Sequence, residues 1–217
     1  MKVWLIPIVF FVCCMCFSGL ANAQGIPVSS AELSKVVARA EELLSKTPFR
    51  VKMTADKAKK FEDGWTFYSY QETEEIRPGI YRNKQHTGNR TETIIIDSTV
   101  YSRRGEGPWM VKAPPQRDTT PHFEDVSKLD LKIYKSGNET ILGNVASKYE
   151  INSKVDKMNL STRSVDQWTS KIIYWFDADG RFLKIESTSY QPPQNEFVRQ
   201  VRIYEYDSGI KIDAPMM

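Results

Sequence analysis

Cysteine is confined to the first sixteen residues of this 217-residue chain, at Cys13, Cys14 and Cys16. The rest of the chain therefore has no disulfide framework, no thiolate nucleophile and no thiolate metal site. Histidine is almost as scarce, because His86 and His122 are the only two. Neither belongs to a zinc-binding or Ser-His-Asp motif, so we interpret both as solvated residues of turns or loops.

Motifs of catalysis and of phosphate binding are also missing. No G-x-S-x-G elbow surrounds a serine, and no glycine-rich phosphate loop precedes a helix. Glu72, Glu74 and Glu75 form a carboxylate cluster, but alternation along a strand places adjacent Glu74 and Glu75 on opposite faces, which does not suit paired-carboxylate hydrolysis. We therefore predict a protein that is not an enzyme and that uses no metal and no cofactor, with an uncharacterised hydrolase as an alternative.

A large excess of charge of one sign is lacking as well. The formal net charge is +3, and removal of Lys2, the only charged residue before Gln24, takes it to +2. Such a balance gives no electrostatic reason to bind nucleic acid, so we predict no nucleic-acid partner.

The N-terminus has the organisation of a secretory signal peptide. Lys2 precedes an apolar run over residues 3–17, and Ala21-Asn22-Ala23 forms an A-x-A site. We expect cleavage before Gln24, export to the periplasm or the outside of the cell, and one domain over residues 24–217. An uncleaved membrane anchor is the alternative, although the apolar run is shorter than the about 20 residues that span a bilayer.

The exported chain begins with a helix pattern and continues with strand patterns. Ser29 and Glu32 form a capping box before apolar residues at helical spacing, which predicts a helix that ends near Pro48 and either packs on a sheet or covers the mouth of a cavity. Alternating residues and short turns then predict twelve antiparallel segments, some of them very short, which we count as about ten strands. These lie near residues 49–55, 65–76, 79–84, 90–97, 99–104, 109–112, 131–134, 140–142, 145–152, 168–177, 181–190 and 197–206, with a short tail over 210–215.

Two polar segments interrupt the strand pattern. Residues 113–131 contain Pro114, Pro115 and Pro121 and end in a stretch that could form a short helix, which we interpret as a lid. Residues 153–166 are interpreted as a second mobile loop. A single sheet of about ten strands has to curl, close or be covered.

Aromatic side chains are plentiful, with 5 Trp, 10 Tyr and 10 Phe. In a sheet without catalytic groups, this apolar surface indicates core packing first and an apolar ligand second.

Five short motifs resemble the LolA-like superfamily of bacterial envelope proteins, which includes the lipoprotein carriers LolA and LolB, the LppX group and the RseB sensor domain. Arg77-Pro78-Gly79-Ile80-Tyr81 is similar to an R-P-x-x-aromatic segment. Four more motifs follow in the family's order, at residues 95–101, at residues 141–146 with Tyr149, at residues 174–181 and at residues 210–215.

The resemblance implies a mainly β fold, in which a strongly curved antiparallel sheet forms a half-open barrel with an N-terminal helix and lid segments over its concave face. It implies that Arg77 reaches into the hollow and hydrogen-bonds the lid, and that Tyr81 lines the wall. The alternative interpretation of Arg77 is an exposed charge at a strand end. The residues that we expect to bind the ligand are Arg77, Tyr81, Trp65, Phe67, Ile95, Tyr101, Trp109 and Trp175.

The first functional hypothesis is a monomeric, non-catalytic carrier or binder of lipid or lipoprotein acyl chains in the cell envelope, of the type that sorts lipoproteins to the outer membrane. An inner- or outer-membrane protein is a possible partner. The alternative is an envelope stress-sensor or protein-interaction module of the RseB type, whose hollow serves regulation.

Overall fold

The computed structural model describes residues 25–60, 62, 64–112, 123–125, 130–159 and 163–216. The expected signal peptide, most of residues 113–131 and His122 lie outside these described residues. The helix is α1 (Ser30–Leu44), and a short 3₁₀ turn covers Pro192–Gln194. The strands are β1 (Ile26–Pro27), β2 (Phe49–Ala58), β3 (Thr66–Arg77), β4 (Ile80–Gln85), β5 (Thr91–Ile96), β6 (Thr99–Arg104), β7 (Met110–Lys112), β8 (Phe123–Asp125), β9 (Asp130–Ile141), β10 (Asn144–Asn159), β11 (Val165–Phe176), β12 (Phe182–Gln191) and β13 (Glu196–Tyr206).

These strands form a single antiparallel sheet in the order β1-β9-β10-β11-β12-β13-β2-β3-β4-β5-β6-β7, and β8 pairs with β10 away from this path. The expected fold class, a mainly β chain with an open antiparallel sheet and an N-terminal helix, is confirmed. Among the described strands β7 does not pair with β1 or β9, so the sheet is not closed into a barrel.

The sheet must be strongly curved, because a short connection joins strands far apart in its order. Only ten residues separate Lys112 in β7 from Phe123 in β8, which lies beside β10. Eleven extended steps span at most about 38 Å. In a flat sheet, the nine interstrand spacings from β7 to β10 would cover about 43 Å. The two ends of the sheet therefore bend toward each other.

The helix packs on one face of this sheet, which we call the helix face. Its start is capped by Ser29, whose Oγ accepts a hydrogen bond from the Glu32 backbone N–H at 3.1 Å. It ends at Leu44, four residues before Pro48, and Ser45 is its C-cap. Leu33 and Ala40 face the sheet. Their buried partners come from six strands and are Phe49, Ile133, Tyr149, Phe176, Phe182 and Tyr204. No helix within the described part of the chain is long and apolar enough to cross a membrane.

The opposite face, which we call the outer face, carries alternating charges and the C-terminal tail. One register row crosses β2 to β6 with side chains of alternating sign, namely Lys52, Glu72, Lys84, Glu92 and Arg103. Beside it, Ile210 and Ile212 of the tail pack on Ile94, Tyr101 and Trp109. Charged side chains keep most of this face in water, while the tail covers its apolar end.

Three sequence interpretations of local structure need correction. Residues 153–159 continue β10, and β11 begins at Val165, so most of the predicted second loop is a hairpin. The two strands of this hairpin are joined by polar pairs, such as Ser153 Oγ and Ser170 Oγ at 2.6 Å, and they lack the apolar alternation that indicates a strand in the sequence. The strands predicted at 131–134 and 140–142 form one strand, β9, with an irregularity opposite Ser147 and Lys148. Phe123–Asp125, part of the predicted short helix, is a strand.

Candidate ligand-binding site

The helix is too short to cover the whole helix face. A helix of 15 residues is about 22 Å long and about 10 Å wide. The twelve strands along the main path of the sheet extend over roughly 53 Å of arc. The helix cluster includes side chains of β2 and of β9 to β13, but it contains no residue of β3 to β6. The helix face of these four strands therefore lies outside the cluster that the helix covers.

Two register rows define this surface, which we call the wall. Residues directly opposite each other in antiparallel strands lie on the same face, so each row can be followed from the helix cluster across the sheet. The first row runs from Phe49 through Glu75, Tyr81, Ile95 and Val100. The second row runs from Val51 through Thr73, Asn83, Thr93 and Ser102. The wall therefore consists of Glu75, Tyr81, Ile95, Val100, Thr73, Asn83, Thr93 and Ser102.

The wall is almost uncharged, in contrast with the outer face of the same strands. Its apolar members are Tyr81, Ile95 and Val100, and its neutral polar members are hydroxyl and amide side chains. Asn83 Nδ2 donates a hydrogen bond to Thr73 Oγ1 at 2.8 Å, which holds both polar groups against the sheet. Val100 and Ser102 are buried in the fold, each only 7% exposed, whereas the other six wall residues are partly exposed. Such a mixture can contact a hydrocarbon chain and also place a few hydrogen-bonding groups beside it.

Glu75 is the single charged member of the wall. Its register partners are Phe49 on one side and Tyr81 on the other, so the carboxyl lies between two aromatic residues. Partial burial raises the pKa of the Glu75 carboxyl above the ordinary glutamate value. In the described chain no side chain forms an ion pair or hydrogen bond with it. The preceding residue, Glu74, instead faces outward and pairs with Arg50 at 2.6 Å and Arg82 at 3.3 Å.

The structure places two of the eight expected ligand residues, Tyr81 and Ile95, next to each other in the wall. Arg77 lies at the end of β3, its side chain is 59% exposed, and its Nη2 is 3.6 Å from Asp97 Oδ1. This position agrees with the alternative interpretation of Arg77 as an exposed charge at a strand end. Most of the predicted lid, residues 113–131, lies outside the described part of the chain.

The other five expected residues lie on the outer face, so the structure does not bring all eight together. Tyr101 and Trp109 pack in the cluster formed with the tail. Phe67 pairs in register with outward-facing Asp56 and is 55% exposed, and the Arg199 guanidinium lies 4.7 Å from the Trp65 ring centroid. The period of two along each strand explains the division, because aromatic residues one position apart point to opposite faces.

Trp175 has a structural environment of its own on the outer face. It is 3% exposed, and its indole Nε1–H donates a hydrogen bond to Glu139 Oε2 at 2.9 Å. The ammonium groups of Lys148 and Lys184 lie 5.5 and 4.4 Å from its ring centroid. These contacts fully occupy the side chain within the fold.

Sequence reasoning missed six wall residues, namely Glu75, Val100, Thr73, Asn83, Thr93 and Ser102. The signal that could have found them is register. Once Tyr81 is assigned to the wall, pairing across the β3–β4, β4–β5 and β5–β6 turns assigns Glu75, Ile95 and Val100 to the same face.

A second concavity lies where the helix meets the β11–β12 turn. It has a volume of about 340 Å³, and its lining combines the cations Lys35 and Arg39 with Asp177 and Asp179. Arg181 already pairs with both carboxylates of the turn, at 2.8 Å to Asp177 and 3.0 Å to Asp179. Because Arg181 neutralises these carboxylates, we interpret the groove as a gap between the helix and a turn that ion pairs stabilise.

Side chains with catalytic potential do not gather in the described part of the chain. His86 stacks on Tyr70 with ring centroids 4.9 Å apart, and its Nε2 is 3.9 Å from Glu72 Oε2 on the charged outer face. No group of three or more His, Cys, Asp or Glu residues is arranged to hold a metal ion among the residues described.

Comparison with known proteins gives structural likenesses only. No family model matches the chain, and no curated protein matches it. The chain is similar to a DUF1329 family protein from Desulfovibrio piger, with 10% identity over 82% of this chain and 92% of that one and a TM-score of 0.36. It is similar to a LolA superfamily protein from Nitrosomonas europaea, with 10% identity, coverage of 79% and 90%, and a TM-score of 0.33.

A third similar structure is MucB, with 15% identity over 85% of this chain and a TM-score of 0.39; this chain spans 62% of the MucB chain. The LolA superfamily is the one that the sequence motifs resemble. Each of these three TM-scores is below 0.5, so the similarities indicate neither a function nor a binding site.

Proposed function

We propose that this protein is a non-catalytic binder or carrier of lipid or lipoprotein acyl chains, exported after cleavage before Gln24 and active in the periplasm as a monomer. The observation that supports this proposal most strongly is the separation of charge across β3 to β6. The outer row of these strands alternates acidic and basic residues, whereas seven of the eight wall residues are uncharged. A surface of this kind on a curved sheet suits a ligand that leaves water.

The energetic basis is the transfer of methylene groups from water to the wall. Each buried CH₂ contributes about 0.8 kcal/mol, so ten methylenes contribute about 8 kcal/mol before the loss of chain freedom is subtracted. Tyr81 and Ile95, which are partly exposed, would contact the hydrocarbon. The hydroxyls of Thr73 and Thr93 would remain available to a polar part of the ligand.

Blocking the wall tests the proposal. In Thr93→Trp a large side chain fills the second row, and we expect at least a tenfold loss of affinity for a fluorescent fatty amine or fatty acid. The matched control is Thr54→Trp on the outer face, where Thr54 pairs in register with Tyr70 and Val201. This control should bind within about twofold of the wild type, since outer-face side chains do not reach the ligand.

Lipid extraction and mass spectrometry of protein purified from its own cells should also identify an acyl-chain lipid in the wild type. A wild-type protein that carries no lipid and binds neither probe would contradict the proposal. A membrane protein that co-purifies equally with wild type and Thr93→Trp would favour the alternative, an interaction module of the sensor type.

A further inference from the structure

The isolated carboxyl of Glu75 is unusual for this sheet. On the outer face, charged groups of β2 to β6 are neutralised by neighbours, as in the pair Arg103 and Glu92, whose atoms lie 2.5 Å apart. Glu75 has no such neighbour in the described chain, and the two residues that flank it in register are Phe49 and Tyr81. A partly desolvated carboxylate without a partner destabilises the fold, so its position calls for a partner from outside the chain.

None of the eight wall residues is a cation, and Lys112, which pairs in register with Val100 and continues the first row into β7, lies four strands away from Glu75. The remaining wall residues are neutral, and Arg77, the nearest basic residue in sequence, is paired with Asp97 in the adjacent turn. A phosphate or carboxylate at this point would meet a like charge in a partly desolvated position, which is unfavourable. A protonated amine would instead form a charge-assisted hydrogen bond with the carboxylate.

We propose that the wall selects amphiphiles whose polar end carries a protonated amine, which donates a hydrogen bond to Glu75 while the hydrocarbon lies along the partly exposed Tyr81 and Ile95. This inference rests on the proposed function, because it names the ligand class of the same surface. It goes further in predicting that the head group, and not the chain alone, determines affinity.

The experiment compares two ligands with the same chain length and opposite charge, dodecylamine and dodecanoate, by isothermal titration calorimetry at neutral pH. A hydrogen bond to a charged group is worth roughly a ten- to hundredfold change in affinity. We therefore expect wild-type protein to bind dodecylamine at least tenfold more tightly than dodecanoate. In Glu75→Gln, which keeps the size of the side chain, the preference should fall to about threefold or less.

The control is Glu106→Gln in the exposed β6–β7 turn, which removes the same charge without touching the wall. It should keep the wild-type preference, and this would exclude an effect of net charge alone. If both ligands bind wild type equally, or if Glu75→Gln keeps the full preference, the role of Glu75 is refuted and acyl-chain binding stands. If neither ligand binds wild type, both the inference and the proposed function fail.

Discussion

Docking of the C-terminal tail decides which face of the sheet is available to a ligand, and Ile212→Ala tests it. Ile212 is 7% exposed and packs in the cluster with Ile94 and Trp109. The substitution removes three carbons, worth about 2.4 kcal/mol of transfer free energy. The residual cavity adds to this cost, so we expect a loss of about 3 kcal/mol in the free energy of unfolding.

Urea unfolding followed by tryptophan fluorescence measures this loss, because Trp109 lies in the same cluster. The control is Ile26→Ala, the same chemical change at a residue that is 73% exposed, with an expected effect within about 0.5 kcal/mol. If Ile212→Ala costs no more than the control, the tail is not docked in solution. The outer face around Tyr101 and Trp109 would then be open, and the assignment of the ligand to the helix face would lose its main structural support.

Three further predictions concern stability. Burial raises the pKa of Glu75 in the folded protein above 4.5, so the free energy of unfolding of wild type should fall relative to that of Glu75→Gln as the pH rises from 4.5 through the raised pKa. Urea midpoints measured across this pH range test this, and a difference that stays constant with pH would contradict it. Ser29→Ala removes the N-cap of the helix and should lower the free energy of unfolding by about 1 kcal/mol. Ser34→Ala, on the exposed surface of the same helix, should not destabilise the protein, and equal effects of the two substitutions in thermal melts would count against the cap. Leu142 has φ +51° in an exposed turn, so Leu142→Gly should stabilise by about 1 kcal/mol, and a lower melting temperature would oppose that expectation.

Much of the fold follows from local patterns in the sequence. The capping box at Ser29 and Glu32 places the helix start, and short turns such as Asp97-Ser98 place the hairpins, because these signals depend on neighbouring residues alone. The near end of the β10–β11 hairpin is predicted by the strands at 145–152 and 168–177, but its far end is not, because it pairs polar with polar residues and polarity by itself does not distinguish a solvated strand from a loop.

The candidate site was less predictable for a different physical reason. An aromatic residue in a strand can face either side of the sheet, and sequence alone does not say which face the helix or the tail will cover. The structure places Tyr81 and Ile95 next to each other on one face, and their role in ligand binding stays a prediction. Trp109 and Trp175 carry the same chemical signal, yet their contacts lie with the tail and with charged outer-face residues.

The most direct test of the wall is a fluorophore whose emission reports local polarity, attached to one of two engineered cysteines. The chain after Cys16 has no cysteine, so Thr93→Cys on the helix face and Thr54→Cys on the outer face can each be labelled alone in protein that starts at Gln24. Addition of dodecylamine should shift the emission of the label at position 93 to shorter wavelength and leave the label at position 54 unchanged. A shift at position 54 alone, or at neither position, would contradict an acyl-chain site on the wall.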